Sequence, residues 1–308
     1  SLVSPILTYG CQIWLPTHSA FIKTLNSFKK DSAFDLKQIS KLPSEQVHLR
    51  HLKYLLGINR RSCNAAAWGE TGKLPLFIKG VALCIKYFIR IINMDSSQLV
   101  KAALNEQIQL QLSWFNKIRD IIHSFGDIQP SNYNRNSNEL LNATLMSQAC
   151  SVDTITNNME QAFKDSWTRS ILSSERLSFY SLVKGSFSWE SYLDHAPNFK
   201  IRRSTAQLRC SAHKLRIETG RHSQVNRVDR LCIYCSCELN TSHLDDENHL
   251  LHSCPIGDNE RRILDNHLSD LGSPRGVDFN LAELPTNPPD ILTDMDIHLI
   301  KESTKSLH

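Results

Sequence analysis

Four side chains with metal-binding chemistry fall in one short stretch, Cys232-x2-Cys235, thirteen residues, then His249-x4-Cys254. Two cysteines spaced in this way can turn both sulfurs toward one ion, and a second pair completes the tetrahedron that zinc takes in structural sites. Four protein donors leave no position for a reactive water, so the chemistry on offer is to hold together a loop too short to build its own core. Cys237, His243 and His252 are nearby substitutes, and His252 could replace His249. A zinc deaminase centre is excluded because no H-x-E precedes the cysteine pair and no Pro stands before it. A redox C-x-x-C is disfavoured because no βαβ pattern leads into Cys232.

Immediately before the cysteines the charge is strongly one-sided. From Lys200 to Arg230 there are nine Lys/Arg against Glu218 and Asp229, a net of +7, whereas Leu231 to His308 carries five against fourteen acids, a net of −9. The formal net charge of +4 conceals this segregation. A basic block lacking mixed-sign pairing attracts phosphate backbones by Coulomb interaction and counterion release. The candidate phosphate contacts are Arg202, Arg203, Arg209, Lys214, Arg216, Arg221, Arg227 and Arg230. His213, among them, has two readings: stacking on or hydrogen bonding to a base, or completing a buried polar contact.

Catalytic patterns are missing. Asp245-Asp246 is the pair type by which polymerases hold two Mg²⁺ ions, but it lies between the metal donors among Thr241, Ser242, Glu247 and Asn248, not on a hairpin between apolar strands. Loop capping and hydrogen bonding to the ligand histidines are the roles expected there. There is no phosphate-binding Gly-rich loop and no G-x-S-x-G elbow, and too little chain follows Pro289-Asp290 to complete a nuclease motif. The expectation is a chain without catalysis of its own.

The elements that must position these residues read as helices. After Pro75, Ile78, Val81, Ala82, Ile85, Phe88, Ile89 and Ile92 share one face, predicting a helix over 76–92, with Lys79, Lys86 and Arg90 in a narrow stripe off that face that could serve as a basic rail. Leu49, Leu52, Leu55 and Leu56 predict a helix ending at Gly57, a residue suited to a left-handed cap. Further helices are expected near 97–112, 114–125, 138–148 and 154–172. The run QPSNYNRNSN at 129–138 reads as a linker, and the Pro-, Gly- and acid-rich chain after Asp270 as an irregular tail with a short helix near 296–303.

At 41% hydrophobic and 21% charged the chain is expected to fold. Nine cysteines without a secretory leader argue against a disulfide framework and for a reducing, intracellular location, nuclear or cytoplasmic. The longest apolar stretch, Gly80 to Ile92, carries Lys86 and Arg90 and is too short for a bilayer, so no membrane partner is expected. Ser1 followed by an apolar run reads as the interior of a longer protein.

Three stretches resemble the C-terminal regions of LINE-type (non-LTR) retrotransposon reverse transcriptases. PILTYGCQIW, Pro5 to Trp14, is similar to the passage from polymerase palm to thumb. LKYLLGINRRSCNAAAWGETGKLPLFIK, Leu52 to Lys79, resembles the thumb element E-x-G-x-x-P-L, here Glu70, Gly72, Pro75 and Leu76. LRCSAHKLRIETGRH, with Arg209, His213, Leu215, Ile217, Glu218, Gly220 and Arg221, resembles the family's segment before its zinc knuckle, matched by Cys232, Cys235, His249 and Cys254. The resemblance implies RNA-directed DNA synthesis by a parent protein whose palm lies outside this chain, with this part gripping RNA or DNA beside the remainder of that enzyme.

The expected fold is therefore mainly α: a helical thumb-like region (1–128), the linker (129–138), a second helical segment (139–199), a basic segment with a small irregular zinc-binding module (200–256) and an acidic tail (257–308). The expected cofactor is structural Zn²⁺ and the expected partner RNA or DNA. The alternatives left open are a zinc-stabilised protein-interaction module, with the acidic tail masking the basic block, and a relic of an inactive element.

Overall fold

A computed structural model describes residues 3–126, 139–195 and 198–263. The chain is mainly helical; among the described residues there is no strand, only two isolated antiparallel bridges, Thr71 with Trp189 and Leu231 with Leu244. The linker expected at 129–138, the tail from 264 and its helix near 296–303 lie outside the described residues.

In chain order the helices begin with α1 (Val3–Leu7), α2 (Cys11–Trp14), α3 (Ser19–Asp31), α4 (Leu36–Ile39), α5 (Pro43–Leu56) and α6 (Asn64–Glu70). They continue with α7 (Leu76–Ile92), α8 (Leu99–Gln109), α9 (Ser113–Phe125), α10 (Glu139–Ala149) and α11 (Val152–Leu172). The last are α12 (Ser178–Val183), α13 (Tyr192–His195), α14 (Phe199–Arg209), α15 (Arg216–His222) and α16 (Ile233–Glu238). The described residues divide into two compact units, the first within Ser1–Arg50 and Leu74–Ser170, the second within His51–Lys73 and Ile171–His308.

The core of the first unit is built on α7. Its apolar face buries Phe77, Ile78, Val81, Ile85, Phe88, Ile91 and Ile92, each worth about 1.5–3 kcal/mol of transfer free energy. Phe34 packs against Phe77 and Phe125 with ring centroids 5.4 and 5.8 Å apart. Pro75 supplies no side-chain cap to α7, and the buried Glu45 carboxylate supplies it instead by accepting the Phe77 N–H at 3.0 Å. At the other end Lys101 Nζ donates to the Ile92 carbonyl. Lys79, Lys86 and Arg90 all lie on the exposed side of α7, with Lys79 Nζ donating to Ser4 Oγ at 3.1 Å.

In the second unit α5 stops where Gly57 turns left-handed at φ 66. A Cβ there would lie 2.6 Å from Arg203 Cγ, so the glycine also admits the stem of Arg203. Lys53, buried, ties down the following loop by donating to the Arg60 and Ser62 carbonyls at 2.9 and 2.6 Å and to Asn64 Oδ1 at 2.6 Å. Burial lowers its pKa from the ordinary lysine value.

No described helix is long and apolar enough to cross a membrane.

Candidate metal centre

The four donors read from the sequence meet. Cys232, Cys235, His249 and Cys254 are all buried, and their ligand atoms lie within 4.8 Å of one another. The Cys254 sulfur is 3.8 Å from that of Cys232 and 3.9 Å from that of Cys235, while His249 Nε2 is 3.3 Å from the Cys235 sulfur. All nine cysteines are free thiols. Four soft or borderline donors converging at these separations could hold one metal ion.

Local structure explains the convergence. Cys232 stands at the start of α16, so one helical turn brings Cys235 to the same side. The other pair lies on a single wide turn, His249–Ser253, in which the Cys254 N–H reaches back five residues to the His249 carbonyl at 2.7 Å. Asp246 Oδ1 starts that turn by accepting the His249 N–H at 2.8 Å. Nε2 faces the sulfurs and Nδ1 lies 3.2 Å from Ser253 Oγ, so an ion on Nε2 would leave the proton on Nδ1 to donate there and fix the ring. The substitutes stay outside: Cys237, His243 and His252 are exposed, with the His243 ring stacked on that of His249 at 5.1 Å.

Without an ion the thiols share protons unevenly. The hydrogen bond from Cys254 brings Cys232 down to about 4 and raises Cys254, while burial raises Cys235.

The metal loop is stitched to the basic segment. The Cys232 N–H donates to the His243 carbonyl at 2.8 Å, and the Asp245 N–H to the Arg230 carbonyl at 2.9 Å. Asp245 caps α15, its carboxylate accepting the Arg216 N–H at 2.7 Å and its carbonyl the Ile217 N–H at 3.0 Å. His213 Nδ1 accepts from the Leu215 N–H, which leaves Nε2 to donate to Glu247 at 2.8 Å, and Ser211 donates to the same oxygen at 3.2 Å. His213 thus completes a buried polar contact, the second of its two readings. Leu208, Leu215 and Leu250 bury a small shared core beneath.

The cations of the block divide by environment. Arg209 is a correction to the set of phosphate contacts: only 7% exposed, it donates from Nε to both Glu70 oxygens at 3.2 Å and from Nη2 to Glu190 at 2.8 Å. Burial alone would lower its pKa, but the Glu70 and Glu190 carboxylates hold it above the usual value. Burial raises the Glu70 carboxyl, against the pull of Arg209. Arg230 is committed to the Val225 and Ile217 carbonyls, Arg216 reaches the Leu231 carbonyl at 3.4 Å, and Arg221 pairs with Glu218. Arg202 is half-buried over the Phe199 ring. Arg203, Lys214 and Arg227 are exposed and form no ion pair among the described residues.

Sequence reasoning missed Glu190, which takes up Arg209 and Lys184 and belongs to no motif, and it missed that Glu247 of the metal loop takes up His213.

No family model matches the chain, and neither a curated protein nor a solved structure matches it.

Proposed function

We propose that this chain is a non-catalytic polynucleotide-holding part of a LINE-type reverse transcriptase, in which a structural zinc ion braces the basic segment that contacts RNA or DNA. The observation that carries the reading is the stitching of the four-donor loop to the basic segment, Asp245 to the start of α15 and Glu247 to His213, through which a bound ion would order that segment.

Zinc is the ion these donors favour. At a Zn–S distance of about 2.3 Å a regular tetrahedron has edges of about 3.8 Å, and the sulfurs stand 3.8 and 3.9 Å apart. Three thiolates and an imidazole close the coordination, so the ion supplies folding free energy and no reactive water.

The resemblance that names the family gains support from the way its residues depend on one another. Glu70 of one motif is ion-paired with Arg209 of another, and Asp245 and Glu247 of the metal loop hold Arg216 and His213. The phosphate contacts are assigned to the exposed Arg203, Lys214 and Arg227, with the α7 stripe Lys79, Lys86 and Arg90 as a second site in the other unit. The remainder of the parent enzyme is the partner that supplies chemistry, in the nucleus or cytoplasm.

A filter-binding assay on the purified chain, with structured RNA and with duplex DNA, tests this. Binding is expected to fall linearly in log–log form with salt and to weaken when a chelator removes the metal. Salt-insensitive retention of a protein partner with no polynucleotide affinity at low ionic strength would replace the reading by that of a protein-interaction module.

A further inference from the structure

The buried ion-pair cluster of the second unit has an exposed product. Glu190 receives Arg209 and Lys184, and its N–H donates to the Glu70 carbonyl at 3.1 Å; the residue before it, Trp189, bridges Thr71. Gly72 lets the two segments touch: at φ 54, a Cβ there would lie 2.5 Å from the Trp189 nitrogen. The one side-chain polar group of Trp189 is taken, the indole N–H donating to Asp194 Oδ2 at 2.7 Å. Trp189 as a whole is 43% exposed, with Lys73 Nζ over its ring 5.5 Å from the centroid.

We infer that Trp189 is a stacking platform for a base of a single-stranded polynucleotide, with Lys73 contacting the adjoining phosphate. An indole whose only donor is already taken offers a ligand its π-face, which suits any base and reads none. The exposed Lys73 ammonium over that ring, in no ion pair among the described residues, suits a polyanion and would weaken docking of an apolar or cationic peptide. Bases in a duplex are stacked on one another, so only an unpaired strand can use the ring. Phe199, 48% exposed with the Arg202 guanidinium 5.5 Å from its ring, repeats the combination at the start of α14. A rigid mount matters because a platform fixed before binding loses little freedom on binding.

The inference rests on the polynucleotide-holding reading but can fail separately from it. The test is fluorescence anisotropy of the zinc-loaded full chain with labelled poly(dT) and with its poly(dA) duplex. Trp189→Ala is expected to weaken single-strand binding about tenfold, within the range for loss of one stacked base, and to leave duplex binding and far-UV circular dichroism unchanged. Trp189→Phe is expected to retain most of the affinity. Lys73→Gln is expected to reduce the single-strand salt slope by about 0.7. If Trp189→Ala binds poly(dT) as the parent does, or loses both ligands equally while folded, the platform is overturned and the wider reading stands. If the parent chain binds neither ligand at low salt, both fail.

Discussion

Arg209 lies against Glu70 with its Nε shared between both carboxylate oxygens at 3.2 Å, a contact that joins positions 139 residues apart. Tyr192 donates to the same carboxylate at 2.7 Å, and its ring lies 5.6 Å from the guanidinium carbon. A charge cluster so enclosed is costly to break on one side only, since the orphaned partner stays buried. Glu70→Gln is expected to destabilise the second unit by about 3–5 kcal/mol. Adding Arg209→Met should recover part of that loss; additive losses in denaturant melts would show that the two are not coupled.

Gly72→Ala should be disruptive and Gly185→Ala silent. The first places a side chain at φ 54, costing about 1–2 kcal/mol for the backbone alone, and drives its Cβ into the Trp189 backbone. Nothing lies within 4 Å of a Cβ at Gly185, so that change should stay within about 0.5 kcal/mol. Thermal unfolding of the two variants decides the matter; equal midpoints would contradict the close approach.

Much of the fold and of the metal centre was legible because both depend on local patterns. The apolar period after Pro75 predicts a helix over 76–92, the bounds α7 has, and Gly57 ends α5 as its lack of a Cβ suggests. The spacing of the four donors requires only neighbouring backbone. The surface chemistry was less legible, because a count of charges along the chain is blind to partners elsewhere in it. Arg209 adds to the basic total and yet is neutralised by Glu70 and Glu190, and Arg230 is consumed by carbonyls. Glu45, which caps α7 from another helix, left no sequence signal either.

Metal content should be one zinc ion per chain. Cys235→Ser and His249→Ala are expected to lose it, whereas Cys237→Ser and His252→Ala, changed at exposed positions, should keep it. A colorimetric chelator assay on the four variants reads this directly, and zinc loss in His252→Ala would reassign the imidazole donor.

Replacing Arg203, Lys214 and Arg227 by Gln, one at a time, should reduce the salt slope of duplex DNA binding by about 0.9 each if each meets a phosphate. The stem of Arg203 rests on Gly57, so its replacement should also cost a little stability.

Lys53 gives a pH dependence of calculable sign. Its folded-state pKa lies below the ordinary lysine value, so between the two the unfolded chain binds the proton more tightly. Stability therefore rises with pH across that alkaline window and gains nothing below it. The stability difference between the parent and Lys53→Met, measured by urea unfolding, should widen as the pH rises toward the ordinary lysine value of 10.5. At neutral pH the variant should already be less stable by about 3 kcal/mol, because three acceptors lose their donor.

Cys232 and Cys254, the outermost metal donors, are separated by only 22 positions, whereas the Glu70–Arg209 pair closes a loop several times longer. Chain closure over so short a span is fast and entropically inexpensive. Ion exchange can therefore proceed through brief local opening of residues 232–254 while the ion-pair cluster keeps the rest of its unit assembled, so the metal is expected to turn over on a shorter timescale than global unfolding.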